Sequence, residues 1–111
     1  MKKYFCILLA IIVLKSLSFA GTYLIEGAKL KTVSSTTGNE NAFWVKFEGG
    51  TGECAGQEKI YFYAEDAGHP EIFKRTYGAA ITALINQIPV DIYRYEGSGC
   101  RGVSINLHRS E

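Results

Sequence analysis

The sequence has no cluster of basic residues, and it has few of the side chains that carry out catalysis or bind metals. Its 111 residues include 12 Lys and Arg, 11 Asp and Glu, and two His, for a formal net charge of +1. Without a basic run, the chain lacks the electrostatic footprint of a nucleic-acid-binding protein. It also lacks an internal repeat, a low-complexity segment and a linker. We therefore expect one small domain that has no nucleic-acid partner.

Motifs for metal binding and catalysis are also missing. His69 and His108 are not part of an HExxH sequence and have no cysteine nearby, so no metal site is expected. No nucleophile-elbow sequence is present, and no Gly-Lys-Ser or Gly-Lys-Thr follows the glycines between residues 49 and 56. These absences predict a protein that is not an enzyme and needs no cofactor. An enzyme that uses His69 or His108 is the less favoured alternative.

Residues 1–20 have the pattern of a signal peptide. Two lysines form a basic start, residues 4–14 form an apolar run, and Ser18-Phe19-Ala20 ends in small residues. The apolar run is shorter than the roughly 20 residues that a spanning helix needs, so we expect cleavage and no membrane span. Residues 21–111 would then be the mature domain, secreted or periplasmic.

Cleavage would change both the charge and the cysteine count. Three lysines leave with residues 1–20, so nine basic and eleven acidic residues remain, a net charge of −2. Two cysteines remain, Cys54 and Cys100. An even pair in an exported chain predicts a disulfide rather than a metal site. Closing a loop of this length would stabilise the fold by about 4 kcal/mol in the chain-entropy treatment.

The stretch from Pro70 to Tyr95 predicts one amphipathic helix that leads into a strand. Pro70 suits the first helical position, where its missing N–H has no cost. Pro89 disfavours the helical conformation of Ile88, so the helix should end there. Apolar residues three or four positions apart predict the side that faces the core. These residues are Phe73, Tyr77, Ile81, Leu84, Ile85 and Ile88.

Alternation of apolar and polar residues predicts five strands. They cover Thr22–Ser35, with a break at Gly27, then Ala42–Glu48, Lys59–Glu65, Val90–Tyr95 and Val103–Leu107. The predicted order is three strands, a helix and two strands. The OB fold, a five-stranded Greek-key barrel, has this order. In that fold the loops that carry the two remaining cysteines lie at the same end of the barrel. An open α+β sheet is the structural alternative.

Five aromatic residues fall on the side of the strands that alternation places outside. They are Trp44, Tyr61, Tyr63, Tyr93 and Tyr95. Trp and Tyr are typical of interfaces because they combine apolar area with a hydrogen-bonding group. We expect most of them, above all Trp44, Tyr61 and Tyr63, to form an interface between subunits. The others would stack on the ring of a bound sugar.

The segment Gln87–Gly97, preceded by a helix that contains Tyr77, resembles the B subunits of bacterial AB toxins of the subtilase-cytotoxin and pertussis-like group. Those B subunits have an OB fold, form pentameric rings, bind host glycans and carry an enzymatic A subunit. The resemblance implies a homo-oligomer, an A subunit as a partner, and a host or cell-surface glycan as the ligand. The glycans expected as ligands include sialylated ones.

In that group a serine near the first strand and a tyrosine near the fourth help to hold sialic acid. Tyr93 or Tyr95 would match the tyrosine, and Ser34 and Ser35 lie near the position of the serine. With Arg94, these residues make up the expected ligand site. Two hypotheses result. One is an exported, non-catalytic module that forms a ring and binds glycans, and the other is a monomeric periplasmic protein that binds or inhibits another protein.

Overall fold

The computed structural model describes residues 21–35, 41–95 and 99–109. The predicted signal peptide, residues 1–20, lies outside this part of the chain, so it stays a prediction. Among the described residues, no helix is long and apolar enough to cross a membrane.

The described chain is mainly β-structure, with one long helix between strands. In chain order the elements are β1 (Thr22–Ser35), β2 (Ala42–Glu48), β3 (Lys59–Tyr63), α1 (Ala64–Ala67), α2 (Pro70–Asn86), β4 (Val90–Arg94), β5 (Arg101–Gly102) and β6 (Ser104–Leu107). The strands form one sheet in the order β5-β3-β2-β1-β4-β6. Neighbouring strands are antiparallel except β3 and β5, which are parallel. The predicted β-rich fold with a helix between the third and fourth strands is confirmed.

The described residues contain six strands and not five. β6 corresponds to the expected fifth strand, Val103–Leu107, and β5 is an additional short strand before it. β5 pairs with β3, and β6 pairs with β4. Val103 lies between them and makes different backbone contacts. Its N–H donates to the Tyr93 carbonyl at 2.8 Å, and its carbonyl accepts from the Thr76 hydroxyl of α2 at 3.3 Å. The chain therefore changes its partner strand at Val103.

β1 pairs with two different strands. Near its start Tyr23 lies opposite Tyr93 of β4, and near its end Ser34 lies opposite Trp44 of β2. The register with β4 shifts around Gly27, whose φ of 71° is a conformation that glycine adopts without steric cost. The break predicted at Gly27 is therefore confirmed, and one bent strand connects the two parts of the sheet.

The ends of α2 follow from local chemistry. His69 precedes the helix, and its Nδ1 accepts a hydrogen bond from the Glu71 N–H at 3.1 Å. This contact satisfies one of the unpaired amides at the helix start. The helix ends at Asn86, and Gln87 follows with a left-handed φ of 54°. The helix thus begins where it was predicted to begin and ends shortly before Pro89.

The buried side of α2 is narrower than its apolar pattern predicted. Ala80 and Ala83 are fully buried, and Thr76 is almost fully buried. Small side chains allow the helix backbone to lie close to the sheet. Ile85 was expected to face the core, but it is 72% exposed. Because residues two positions apart lie on nearly opposite sides of a helix, burial of Ala83 turns Ile85 toward solvent.

The core lies between α2 and the inner side of the sheet. The rings of Phe43 and Phe62 stack with centroids 4.6 Å apart. Phe43 also contacts the rings of Phe73 and Tyr77 on α2, at 5.4 and 5.0 Å. These contacts join the helix to β2 and β3.

Cys54 and Cys100 form the predicted disulfide, with Cα atoms 6.0 Å apart. The Cys54 N–H donates to the Leu24 carbonyl at 2.9 Å, and the Cys100 carbonyl accepts from the Tyr61 N–H at 3.2 Å. The bond therefore joins the β2–β3 loop, next to β1, to the segment that enters β5.

Candidate functional site

The five outward aromatic residues lie in two separate groups. Trp44 pairs with Tyr61 across β2 and β3, and Tyr63 follows Tyr61 on the same side of β3. Tyr93 lies on β4, opposite the start of β1, and Tyr95 directly follows β4. The bend in β1 separates these two parts of the sheet.

Tyr23, Tyr93 and Tyr95 form what we call the tyrosine cluster. The Tyr93 ring contacts the Tyr23 ring at 5.0 Å and the Tyr95 ring at 5.1 Å, both edge to face. Tyr93 is half-buried, whereas Tyr23 is 42% exposed and Tyr95 is 56% exposed. Tyr23 was not among the aromatic residues expected in the site, because only the pairing of β1 with β4 brings it beside Tyr93.

Arg94, which was expected in the ligand site, makes contacts within the chain. Its side chain is only 12% exposed, and Nη1 lies 2.8 Å from Oε1 of Glu53. Nη1 also donates to the Gly99 carbonyl at 2.6 Å. Glu53 and Gly99 directly precede Cys54 and Cys100, so Arg94 connects the same two segments as the disulfide. Arg94 therefore has a structural role beside the tyrosine cluster.

Ser34 and Ser35 are far along the sheet from the tyrosine cluster. Ser34 lies opposite Trp44, near the end of β1, whereas Tyr23 lies opposite Tyr93, near its start. The structure therefore does not bring together the expected ligand set of tyrosines and serines. Sequence alone could not show this, because it does not give the register between strands.

The outer side of β2 and β3, with Trp44, Tyr61 and Tyr63, is called here the β2–β3 face. The Tyr61 and Tyr63 rings stack with centroids 6.1 Å apart. The Arg101 guanidinium lies 4.1 Å from the Tyr63 ring centroid, and the Lys59 ammonium lies 4.3 Å from the Trp44 ring centroid. Cation–π contacts of this kind attract a cation to the ring face. The β2–β3 face is thus aromatic and positively charged, with each of its three rings half-buried.

Arg101 connects this face to α1. Its Nη2 lies 2.8 Å from Oε1 of Glu65, and its Nε lies 2.9 Å from Oδ2 of Asp66. The hydrogen bonds to Glu65 and Asp66 raise the pKa of Arg101, so the guanidinium stays charged. Glu65 was expected to lie in the third strand, but β3 ends at Tyr63 and Glu65 lies in α1.

Glu58 pairs with a lysine beside Trp44. The Lys46 Nζ lies 3.1 Å from Oε1 of Glu58 and 5.8 Å from the Trp44 ring centroid. The hydrogen bond from Lys46 lowers the pKa of the Glu58 carboxyl, and the charges of Lys46, Lys59 and Lys31 lower it further. Lys46 and Lys59 therefore both lie beside Trp44, and Lys46 pairs with Glu58.

A cleft of about 850 Å³ adjoins the β2–β3 face. It lies where β3 passes into α1 and α2 begins. Its walls include Tyr63, Glu65, His69, Phe73 and Lys74. Tyr63 belongs to both the cleft and the β2–β3 face, so the row of rings leads into the cleft.

Asp91 and His108 form a polar contact at the bend of β1. Asp91 Oδ1 accepts the Gly27 N–H at 2.9 Å, and Oδ2 contacts Nε2 of His108. Asp91 is only 9% exposed, although its place in the alternating strand predicted an outward side chain. In the described ranges, no group of three His, Cys, Asp and Glu side chains could hold a metal ion. The contact joins β1, β4 and the end of β6.

Comparisons with known proteins identify a family but no function. Neither the curated proteins nor the solved structures contain a match to this chain. The sequence profile of DUF5992, described as a family of unknown function, matches residues 4–109. That match covers nearly all of the 111 residues, so the chain belongs to the DUF5992 family.

Proposed function

We propose that this protein is an exported, non-catalytic module that binds carbohydrate through the tyrosine cluster. The observation that supports this function best is the pair of exposed rings, Tyr23 and Tyr95, held on either side of Tyr93. A tyrosine offers a flat apolar ring and a hydroxyl group. A sugar has matching chemistry, because the C–H groups of its ring are apolar and its hydroxyl groups are polar.

The geometry of the cluster favours binding because its rings are already in place. Both exposed rings contact Tyr93 edge to face, an arrangement that stabilises aromatic pairs. Ordering flexible side chains reduces the affinity of an interface, and the contacts with Tyr93 lower that cost. Arg94 adds to this rigidity by connecting both neighbouring loops.

The proposal includes an OB-type barrel as the fold. β5 and β6 are then one interrupted strand, which pairs with β3 at one end and with β4 at the other. Because β1 pairs with both β2 and β4, this connection closes the sheet on itself. OB folds bind oligosaccharides and oligonucleotides, which agrees with a carbohydrate ligand. Backbone contacts measured by NMR between β3 and β5 and between β6 and β4 test the closure.

Export is the third part of the proposal. A disulfide such as Cys54–Cys100 persists in oxidising compartments outside the cytoplasm. The apolar pattern of residues 1–20 agrees with this location. Sequencing the N-terminus of the protein recovered from the periplasm or medium tests it, and we expect the chain to begin at Gly21.

Binding can be tested with a glycan array, followed by titration calorimetry with a glycan that binds. We expect Tyr95→Ala to weaken binding about tenfold, because it removes the more exposed stacking ring. Tyr95→Phe keeps the ring and should lose less. Ile85→Ala is the matched control, since Ile85 is an exposed apolar residue on α2. An array without a bound glycan, or equal affinity for Tyr95→Ala and the wild type, would overturn the proposal.

A further inference from the structure

The Trp44 end of the β2–β3 face is rich in lysine. The Lys59 and Lys46 ammonium groups lie 4.3 and 5.8 Å from the Trp44 ring centroid, and Lys46 pairs with Glu58 at 3.1 Å. Lys31 is exposed at an irregular position of β1, where the register with β2 shifts. At the Tyr63 end, Glu65 and Asp66 pair with Arg101, so the positive charge is concentrated near Trp44.

The aromatic residues of this face form a continuous row. Trp44 lies opposite Tyr61, the Tyr61 ring stacks with the Tyr63 ring, and Tyr63 lines the cleft that also contains Phe73. A row that begins at the lysines and ends in a cleft is elongated. Its shape suits a linear ligand that has several similar units.

Positive charge and flat rings at the same place fit an anionic sugar chain. A carboxylate or sulfate can accept hydrogen bonds from the ammonium groups, and such charge-assisted bonds are among the strong ones. The C–H side of the same sugar can contact Trp44 or Tyr61. We propose that the β2–β3 face binds an acidic polysaccharide, with Lys31, Lys46 and Lys59 holding its anionic groups.

Charge makes two other partners less suitable. A second copy of this chain would present the same lysines near Trp44, and like charges across an interface repel. Nucleic acid has a charge on every nucleotide, and proteins that bind it tightly neutralise many phosphates, about 6–10 in well-studied cases. Three lysines and one glutamate supply much less. Binding of nucleic acid is therefore an outcome that the test must distinguish.

Trp44 is the single tryptophan of the chain, so its fluorescence reports directly on this face. The full mature protein is titrated with a heparin oligosaccharide of defined length, which has sulfate and carboxylate groups. A neutral dextran oligosaccharide and a single-stranded oligonucleotide are titrated in parallel. We expect a saturable change in Trp44 emission with heparin and none with dextran. Added salt should weaken the heparin interaction, because salt screens charges near the surface.

Two lysine variants locate the site. Lys59→Gln and Lys46→Gln should each weaken heparin binding about tenfold, because each removes a charge-assisted contact. Arg109→Gln is the matched control, since it removes one positive charge from an exposed residue near the end of the chain. It should keep wild-type affinity. Urea unfolding of all three variants checks that each retains the fold. If one lysine variant does not fold, the other still tests the site.

The proposal is overturned if heparin leaves Trp44 emission unchanged, or if Arg109→Gln loses as much affinity as Lys59→Gln. It is also overturned if the oligonucleotide binds more tightly than heparin, which would identify a nucleic-acid site. The inference does not depend on the tyrosine cluster. Tyr95→Ala should leave heparin binding at Trp44 unchanged, so the failure of either proposal can be recognised separately.

Discussion

Loss of the disulfide should lower the stability of this protein by about 4 kcal/mol. Cys54 and Cys100 are separated by 46 residues in sequence. The chain-entropy treatment gives about 13–14 cal/mol/K for a loop of this length, which is about 4 kcal/mol at 25 °C. For a domain of this size each kcal/mol lowers Tm by about 4–8 °C. The Cys54→Ala/Cys100→Ala variant should therefore melt at least about 16 °C below the wild type.

Contacts around the disulfide modify this estimate only slightly. Cys54 is fully buried, so its truncation also removes packing and increases the loss. Arg94 connects the same two segments through Glu53 and Gly99. That connection exists in the folded state and does not restrict the unfolded chain. The contacts of Arg94 should therefore not compensate for the stability that is lost with the disulfide.

Urea unfolding followed by Trp44 fluorescence measures the loss. The oxidised wild type, the reduced wild type and the double alanine variant are compared, and the last two should agree within about 1 kcal/mol. Arg94→Gln is a useful reference, because loss of a hydrogen-bonded charge should cost about 1–3 kcal/mol. If the double variant stays within about 1 kcal/mol of the wild type, the reasoning from loop entropy is refuted.

Three further predictions concern single positions. Gly102→Ala should lower the free energy of unfolding by about 1–3 kcal/mol in a urea titration, because its Cβ would lie 2.7 Å from Cε2 of Phe62 in the core. An unchanged midpoint would contradict this close packing. Thr76→Val should cost about 1 kcal/mol in the same assay, because it removes the buried hydroxyl that donates to the Ile72 carbonyl at 2.9 Å and to the Val103 carbonyl at 3.3 Å; unchanged stability would mean that the hydroxyl does not stabilise the fold. The Glu58 carboxyl should titrate below its ordinary pKa of 4.5 in an NMR experiment, since Lys46 lowers its pKa. Its contribution to stability is present above the unfolded pKa and is lost as pH falls through the folded value. Lys46→Gln should move the midpoint up, and a midpoint that does not move would exclude Lys46 as the cause.

Local patterns in the sequence were sufficient for the main elements. β1 and β2 have the predicted bounds, because apolar and polar residues alternate along them. Pro70 and Pro89 bracket α2, because proline is accepted at a helix start and excluded from a helix interior. The disulfide followed from the number of cysteines that remain after the expected cleavage.

The candidate site was harder to predict, because it depends on residues that are distant in sequence. Alternation placed Asp91 outside, but the bend at Gly27 and the contact with His108 bury it. Arg94 lies between two tyrosines in sequence, yet its partners are Glu53 and Gly99. Neither contact has a local sequence pattern.

The additional strand β5 has the same origin. Val103 begins the alternating pattern of the predicted fifth strand, and that pattern does not extend to Arg101 and Gly102. β5 is a strand because it pairs with β3, whereas the backbone of Val103 bonds to β4 and to α2. Pattern analysis along one segment cannot detect a change of partner strand.

The two partners of β1 become available at different times during synthesis. The end of β1 can pair with β2 early, since Ser34 and Trp44 are close in sequence. Its start must wait for β4, because Tyr23 pairs with Tyr93. A nascent chain that ends within α2 therefore lacks the β4 partner of Ile25, Ile92, although Ile25 is fully buried in the complete protein. Folding of the whole domain then begins only after most of the chain has been made, and long-range pairing of this kind makes folding slow.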